Sequence, residues 1–117
     1  MVIRSLLTAA AVATLHWPAA ATTDSMSATF WIEVCREEID INPLCVGYLR
    51  GMFDLNEMLT YVYKRPLWCA PDNVGIKQMR RIIVAEVAMQ PANHHEPFAG
   101  LAVAALKSAF PCNPSRN

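Results

Sequence analysis

Four cysteines behind a leader-like start constrain this chain more than any other feature. They stand at Cys35, Cys45, Cys69 and Cys112. No two fall within two to four residues of each other, so the usual spacing of a zinc knuckle is missing. An even set of cysteines in a short exported chain reads instead as a disulfide framework. Three pairings are open to four cysteines. The expected one joins Cys45 to Cys69, with the segment after Tyr63 doubling back along its own helix, and leaves Cys35 for Cys112. Each bridge should stabilise by roughly 2–4 kcal/mol, which matters in a domain too small to bury a generous core.

Export is read from the first 21 residues. Arg4 gives a short positive start, Leu6 to Leu15 is an apolar run, and Pro18-Ala19-Ala20-Ala21 ends in small residues that a signal peptidase accepts. The apolar run is shorter than the roughly 20 residues a membrane span needs. Residues 1–21 are therefore expected to be a cleaved secretory signal and 22–117 a single mature domain. Its location would be periplasmic, without stable membrane insertion. The full chain of 117 residues carries no formal net charge. That excludes the basic field a nucleic-acid partner would demand.

The mature part has helical periodicity throughout. A first helix is expected from about Ser27 to Glu38, with Phe30, Trp31, Val34 and Cys35 inward and Glu33, Glu37 and Glu38 in water. Asn42-Pro43 is a helix start, because the Asn side chain accepts an orphan amide hydrogen and Pro gives up only an amide without a partner. The central helix should run from Pro43 to about Tyr63 and stop before Pro66. Tyr48, Leu49, Met52, Leu55, Leu59 and Val62 recur along it at three- and four-residue intervals. Gly47 and Gly51 cost helix propensity, which suggests close packing against a neighbouring helix.

A third helix is expected over Val74–Gln90, capped by Asp72 or Asn73. Ile76, Met79, Ile82, Ile83, Val87 and Met89 should face inward and Lys77, Arg80 and Arg81 should form a basic outer patch. The last helix should cover Glu96–Phe110, with Asn93 and Glu96 as a capping box and Phe98, Leu101, Ala102, Ala105, Leu106 and Ala109 inside. No alternating run of strand length occurs. The expected fold is all-α, a small four-helix disulfide-braced bundle.

Catalytic chemistry finds little material. There is no nucleophile-elbow serine and no phosphate-binding glycine loop, and paired cysteines are not nucleophiles. His94-His95-Glu96 is the one tempting cluster, but adjacent side chains diverge and do not converge on one metal. One of these histidines is better read as packing against the bundle or capping it. No catalytic residue, metal or cofactor is expected. The invested stretch is the turn at the end of the central helix, where Tyr61, Tyr63, Lys64, Arg65 and Trp68 are tethered by Cys69. Tyrosine, tryptophan and arginine on a pre-ordered loop are the usual material of an interface centre. The competing reading turns Trp68 inward as a plug and leaves Tyr61, Tyr63 and Arg65 to bind.

An ordered set of motifs spans Cys35 to Cys112: C-x2-Y-x2-G at Cys45, Tyr48 and Gly51, C-x-P at Cys69 to Pro71, Gln78 in the next helix, and A-L-x-x-A-F-P-C from Ala105 to Cys112. With a leader in front, this resembles the periplasmic immunity proteins of the type VI secretion system, whose members neutralise cell-wall amidase effectors. The resemblance implies that the four cysteines are the bridging ones. It also implies that Tyr48 and Gly51 hold the central helix to its neighbours and that Phe110-Pro111-Cys112 locks the C-terminus. The chain departs from the pattern at His94-His95. The function expected is occlusion of a secreted peptidoglycan amidase by a protein that is not an enzyme. A homodimer stays open as a further association. The alternative is a small periplasmic acid-stress chaperone or another exported helical binding protein.

Overall fold

The computed structural model describes residues 26–36 and 39–113. The expected leader, Glu37, Glu38 and the end of the tail lie outside the described residues. Among the described residues four α-helices follow in order: α1 (Ala28–Cys35), α2 (Pro43–Tyr61), α3 (Ile76–Ala88) and α4 (Phe98–Ala109), with a short 3-10 turn at Pro91–Asn93 before α4. The all-α, disulfide-braced bundle is the observed architecture. Among the described residues no helix is long and apolar enough to cross a membrane.

Local chemistry sets the helix starts. Ser27 caps α1 by accepting from the Phe30 amide at 3.4 Å, and Asn42 caps α2 by accepting from the Leu44 amide at 2.9 Å, with Pro43 in the first turn. The expected caps of α3 and α4 do not form. Gly75, rather than Asp72 or Asn73, sits at the N-cap of α3, and Pro97 sits at that of α4, neither with a side-chain bond. Asn93 uses its carbonyl, not its side chain, to accept from the Glu96 amide at 2.9 Å. The start of α4 is secured instead by the start of α1. Phe98 donates to Met26 at 2.8 Å and Ala28 donates to Glu96 at 3.0 Å across a single bridge between Ser27 and Pro97.

α3 and α4 pack against each other, α1 touches all three other helices, and α2 lies on α1 and α3. The core gathers Trp31, Ile32, Leu49, Trp68, Ile83, Val87, Phe98 and Leu106. Tyr48 closes it from α2, 4.0 Å from the Trp31 ring and 5.6 Å from Phe98 between centroids. Half-burial of Tyr48 pushes its phenol pKa up, because the charged form is desolvated.

The cysteine pairing differs from the expected one. Cys35 bonds Cys45 and Cys69 bonds Cys112. The physical reason is that the segment after α2 does not return along α2 as far as its first turn. It crosses toward the end of α4, where the Cys69 amide donates to the Phe110 carbonyl at 2.9 Å. Cys35, at the end of α1, then meets Cys45 in the first turn of α2, across the short connection between them.

Five burial assignments also change, at Arg80, Met89, Ala109, Leu55 and Val62. Arg80 is only 3 % exposed and belongs to no surface patch. Its Nη1 donates to the Cys35 carbonyl at 2.9 Å, where the unpaired carbonyls of a helix C-terminus favour a cation. Met89 lies in solvent just past the end of α3, and Ala109 is exposed at the end of α4. On α2, Leu55 and Val62 are exposed while Asn56 is buried, so the inward face is rotated from the expected stripe. Gly51 does not hold α2 to its neighbours: a Cβ built on Gly47 or Gly51 would meet nothing within 4 Å.

Candidate partner-binding surface

The end of α2 is shaped by one buried amide. Asn56 Oδ1 accepts from the backbone amides of Leu67 at 2.7 Å and Trp68 at 3.3 Å, and its Nδ2 donates to the Trp68 carbonyl at 3.1 Å. These three bonds satisfy the Asn side chain in a site where an unpaired polar group would be costly. They also fix the returning chain against the helix it has just left. Lys64 makes the reversal with φ at 55°, in the left-handed region, and the Arg65 amide then reaches the Leu59 carbonyl at 2.9 Å. A lysine held there costs on the order of 1 kcal/mol, and such strain gathers where surrounding structure over-determines the backbone.

Trp68 is corrected from an interface residue to a core residue. It is 2 % exposed and packs edge-on against Phe53, with centroids 6.1 Å apart. The Asn56 clamp draws its backbone inward, and the Cys69–Cys112 bond ties the next residue to the C-terminal segment. With Trp68 turned in, the tip is left to Tyr61, Tyr63, Lys64 and Arg65. Tyr61 is 71 % and Tyr63 60 % exposed. These four remain together at one corner of the bundle.

Beside the tip runs a groove of about 560 Å³, walled by α2 and the chain leading into α3. Asp54, Glu57 and Asp72 line it together with Arg50 and Tyr61. Arg50 pairs with Asp54 at 3.6 Å in solvent, leaving Glu57 and Asp72 to make the groove acidic. The tip is basic through Lys64 and Arg65. A partner meeting this corner therefore encounters both signs of charge within a short distance, an arrangement that fixes orientation more than it adds affinity.

The remaining motif residues lie on other parts of the bundle than the tip. Phe110 is half-buried and supplies the carbonyl for Cys69, with Pro111 exposed between it and Cys112. The Pro71 carbonyl accepts from Val74 at 3.1 Å, and the exposed Gln78 sits in the first turn of α3. His94 packs and caps: its Nε2 lies 2.9 Å from the Val87 carbonyl, and its own carbonyl accepts from the Thr29 amide at 3.1 Å and hydroxyl at 3.2 Å. His95 pairs with Glu96 in solvent at 3.2 Å. Among the described residues no group of three or more His, Cys, Asp or Glu side chains is placed to hold a metal ion.

Sequence reasoning missed Asn56, the residue that builds this corner. Its only signal is a polar side chain between two apolar stripes of α2, a pattern shared by any solvent-facing Asn. A family model described as Rap1a immunity proteins matches residues 18–112. No curated protein and no solved structure matches the chain.

Proposed function

The chain belongs to the Rap1a immunity protein family, and from that premise we propose that it is a periplasmic immunity protein of type VI secretion. It binds a secreted peptidoglycan amidase and blocks it by occlusion, without chemistry of its own. Residues 1–21 are its export signal in this reading. The observation that carries the binding surface is the Asn56 clamp, which holds a strained turn so that two tyrosines and two cations project into solvent. Ordering these side chains before binding lowers the entropic cost of association. Tyr61 and Tyr63 supply the area that becomes desolvated, while Lys64 and Arg65 steer the approach. An amidase cleft is a fitting target, since a rigid projecting corner can fill it and exclude its substrate.

Calorimetric titration of the mature protein with its cognate amidase tests this. Replacing Tyr61 and Tyr63 together by alanine should weaken binding by at least about 2 kcal/mol, or roughly thirtyfold in Kd. The melting temperature should hold, because neither side chain is in the core. Unchanged affinity in the folded double variant would move the interface elsewhere. Failure to bind any amidase, together with suppression of aggregation of unfolded clients at low pH, would assign the chaperone function instead.

A further inference from the structure

The two disulfides sit in opposite surroundings. Cys35 and Cys45 are 1 % and 0 % exposed, sealed in the core where α1 meets the first turn of α2. Cys69 and Cys112 are both exposed, and so are Pro111 and Asn113 on either side of Cys112. A dithiol reaches the second bond without any opening of the fold, and exposed disulfides are the labile ones. Position separates the two further. Cys69 stands in the wall of the groove beside the tip, one residue after Trp68, whose backbone the Asn56 side chain holds. The open bond therefore belongs to the corner, while the sealed bond ties the other end of α2 to α1.

We propose that Cys69–Cys112 is a site of thiol–disulfide exchange, and that its reduction by a dithiol switches the corner from an ordered to a loosened state. The consequence for binding rests on the reading of the tip as the partner-binding surface. The attacked sulfur is Cys112 Sγ, which has exposed residues on both sides, whereas Cys69 follows a buried one. One thiolate of the dithiol bonds Cys112 Sγ as the bond to Cys69 breaks, and Cys69 leaves as a thiolate that takes up a proton. The second thiolate then attacks its own partner sulfur in the mixed disulfide and releases Cys112. Two electrons pass to the protein, the dithiol departs as a disulfide, and its two protons end on Cys69 and Cys112. A disulfide oxidant runs the same steps in reverse.

What the bond holds decides the effect. The connection from α2 to α3 has one covalent tie to the rest of the bundle, at Cys69. Beside it the Cys69 amide donates to the Phe110 carbonyl at 2.9 Å. With the bond open, that hydrogen bond is left to join the connection to the segment after α4, and a lone bond of this kind contributes little. The groove wall at Cys69, Ala70, Pro71 and Asp72 is freed, and the constraint that holds Lys64 at a φ of 55° weakens with it. The Cys35–Cys45 bond and the core around Trp31, Ile83 and Phe98 stay in place. The reduced protein is folded, but its corner is no longer ordered before binding, which raises the entropic cost of association.

Partial reduction of the mature wild-type protein with dithiothreitol tests the inference. Free thiols are blocked with iodoacetamide, the reductant is removed, and the form carrying two blocked thiols is isolated. Peptide mapping should place both on Cys69 and Cys112, with Cys35–Cys45 closed. Amide hydrogen exchange in that form should quicken at least about tenfold over residues 62–72 and stay as in the oxidised protein over α1 and α3. Its calorimetric Kd for the amidase should rise at least about tenfold. Cys69→Ser combined with Cys112→Ser, which carries no blocking group, should show the same exchange and the same affinity, with no response to dithiol. Opening of Cys35–Cys45 first, or of both bonds together, would overturn the proposal, as would unchanged exchange at the corner or unchanged affinity in the two-thiol form. If the oxidised protein binds no amidase, the proposed function fails, while the peptide map and the exchange rates still decide this inference.

Discussion

Replacing Asn56 by leucine should unfold the corner that the proposed function depends on. Leucine repeats the branched four-heavy-atom outline of asparagine, so the perturbation removes the hydrogen bonds while leaving no cavity, and the greater bulk of its methyl groups acts in the same destabilising direction. Three bonds are lost: those from the Leu67 and Trp68 amides at 2.7 and 3.3 Å, and that to the Trp68 carbonyl at 3.1 Å. Each contributes about 1 kcal/mol net, and each backbone group left buried without a partner adds a penalty of about 1–3 kcal/mol. Partial access of water to Leu67 and the gain from burying an apolar side chain offset part of this. The expected loss is about 3 kcal/mol. For a domain of this size it lowers the melting temperature by roughly 12–24 °C. Urea unfolding of the oxidised protein, followed by tryptophan fluorescence, reads the effect directly because Trp68 is buried at the clamp. The folded variant should also bind the amidase more weakly, since the tip is no longer pre-ordered. A loss under about 0.5 kcal/mol, within the range of an ordinary surface substitution, would refute the reasoning that these bonds hold the corner.

Other consequences follow from the sulfur bonds and the buried ring. Cys35 and Cys45 are fully enclosed, whereas Cys69 and Cys112 are exposed; mild reductant should therefore open Cys69–Cys112 first, as timed alkylation and peptide mass analysis would show. Replacing Cys69 and Cys112 by serine removes a constraint across 43 positions and should cost about 4 kcal/mol on the chain-entropy model; replacing Cys35 and Cys45, which are 10 positions apart, should cost about 2.7 kcal/mol from that term. Denaturant midpoints of the two double variants check the order. Tyr48 has a raised pKa through burial, so its contribution is complete below about pH 10, the unfolded value, and is lost as pH rises from there through the folded value. Tyr48→Phe should flatten that alkaline loss in melting curves taken across pH 9 to 12.

Helix existence was legible because apolar residues recur at helical spacing and because Asn42-Pro43, Pro66, Pro91 and Pro111 punctuate the chain. Which face of α2 turns inward was not. Leu55 and Val62 continue one stripe, Leu49 and Phe53 another, and hydropathy ranks neither above the other. The choice is made by Asn56, whose three backbone bonds are satisfied only when the chain after Lys64 returns to it. Arg80 misled for a similar reason: its charge suggests water, but its guanidinium reaches the carbonyl at the end of α1. The disulfide pairing depended on where the segment from Tyr63 to Cys69 crosses the bundle, a long-range choice that cysteine spacing does not encode. The corner residues Tyr61, Tyr63, Lys64 and Arg65 were legible by composition. The inward turn of Trp68 rests on the same clamp.

The most direct measurement is the hydrolysis of peptidoglycan by the cognate amidase, titrated with the mature protein. Occlusion predicts that activity falls linearly to zero at one binding corner per enzyme. It also predicts that the amidase, once separated from the complex, is recovered intact by mass and fully active. Inactivation at far less than one corner per enzyme, or a permanent change in the recovered amidase, would contradict the account.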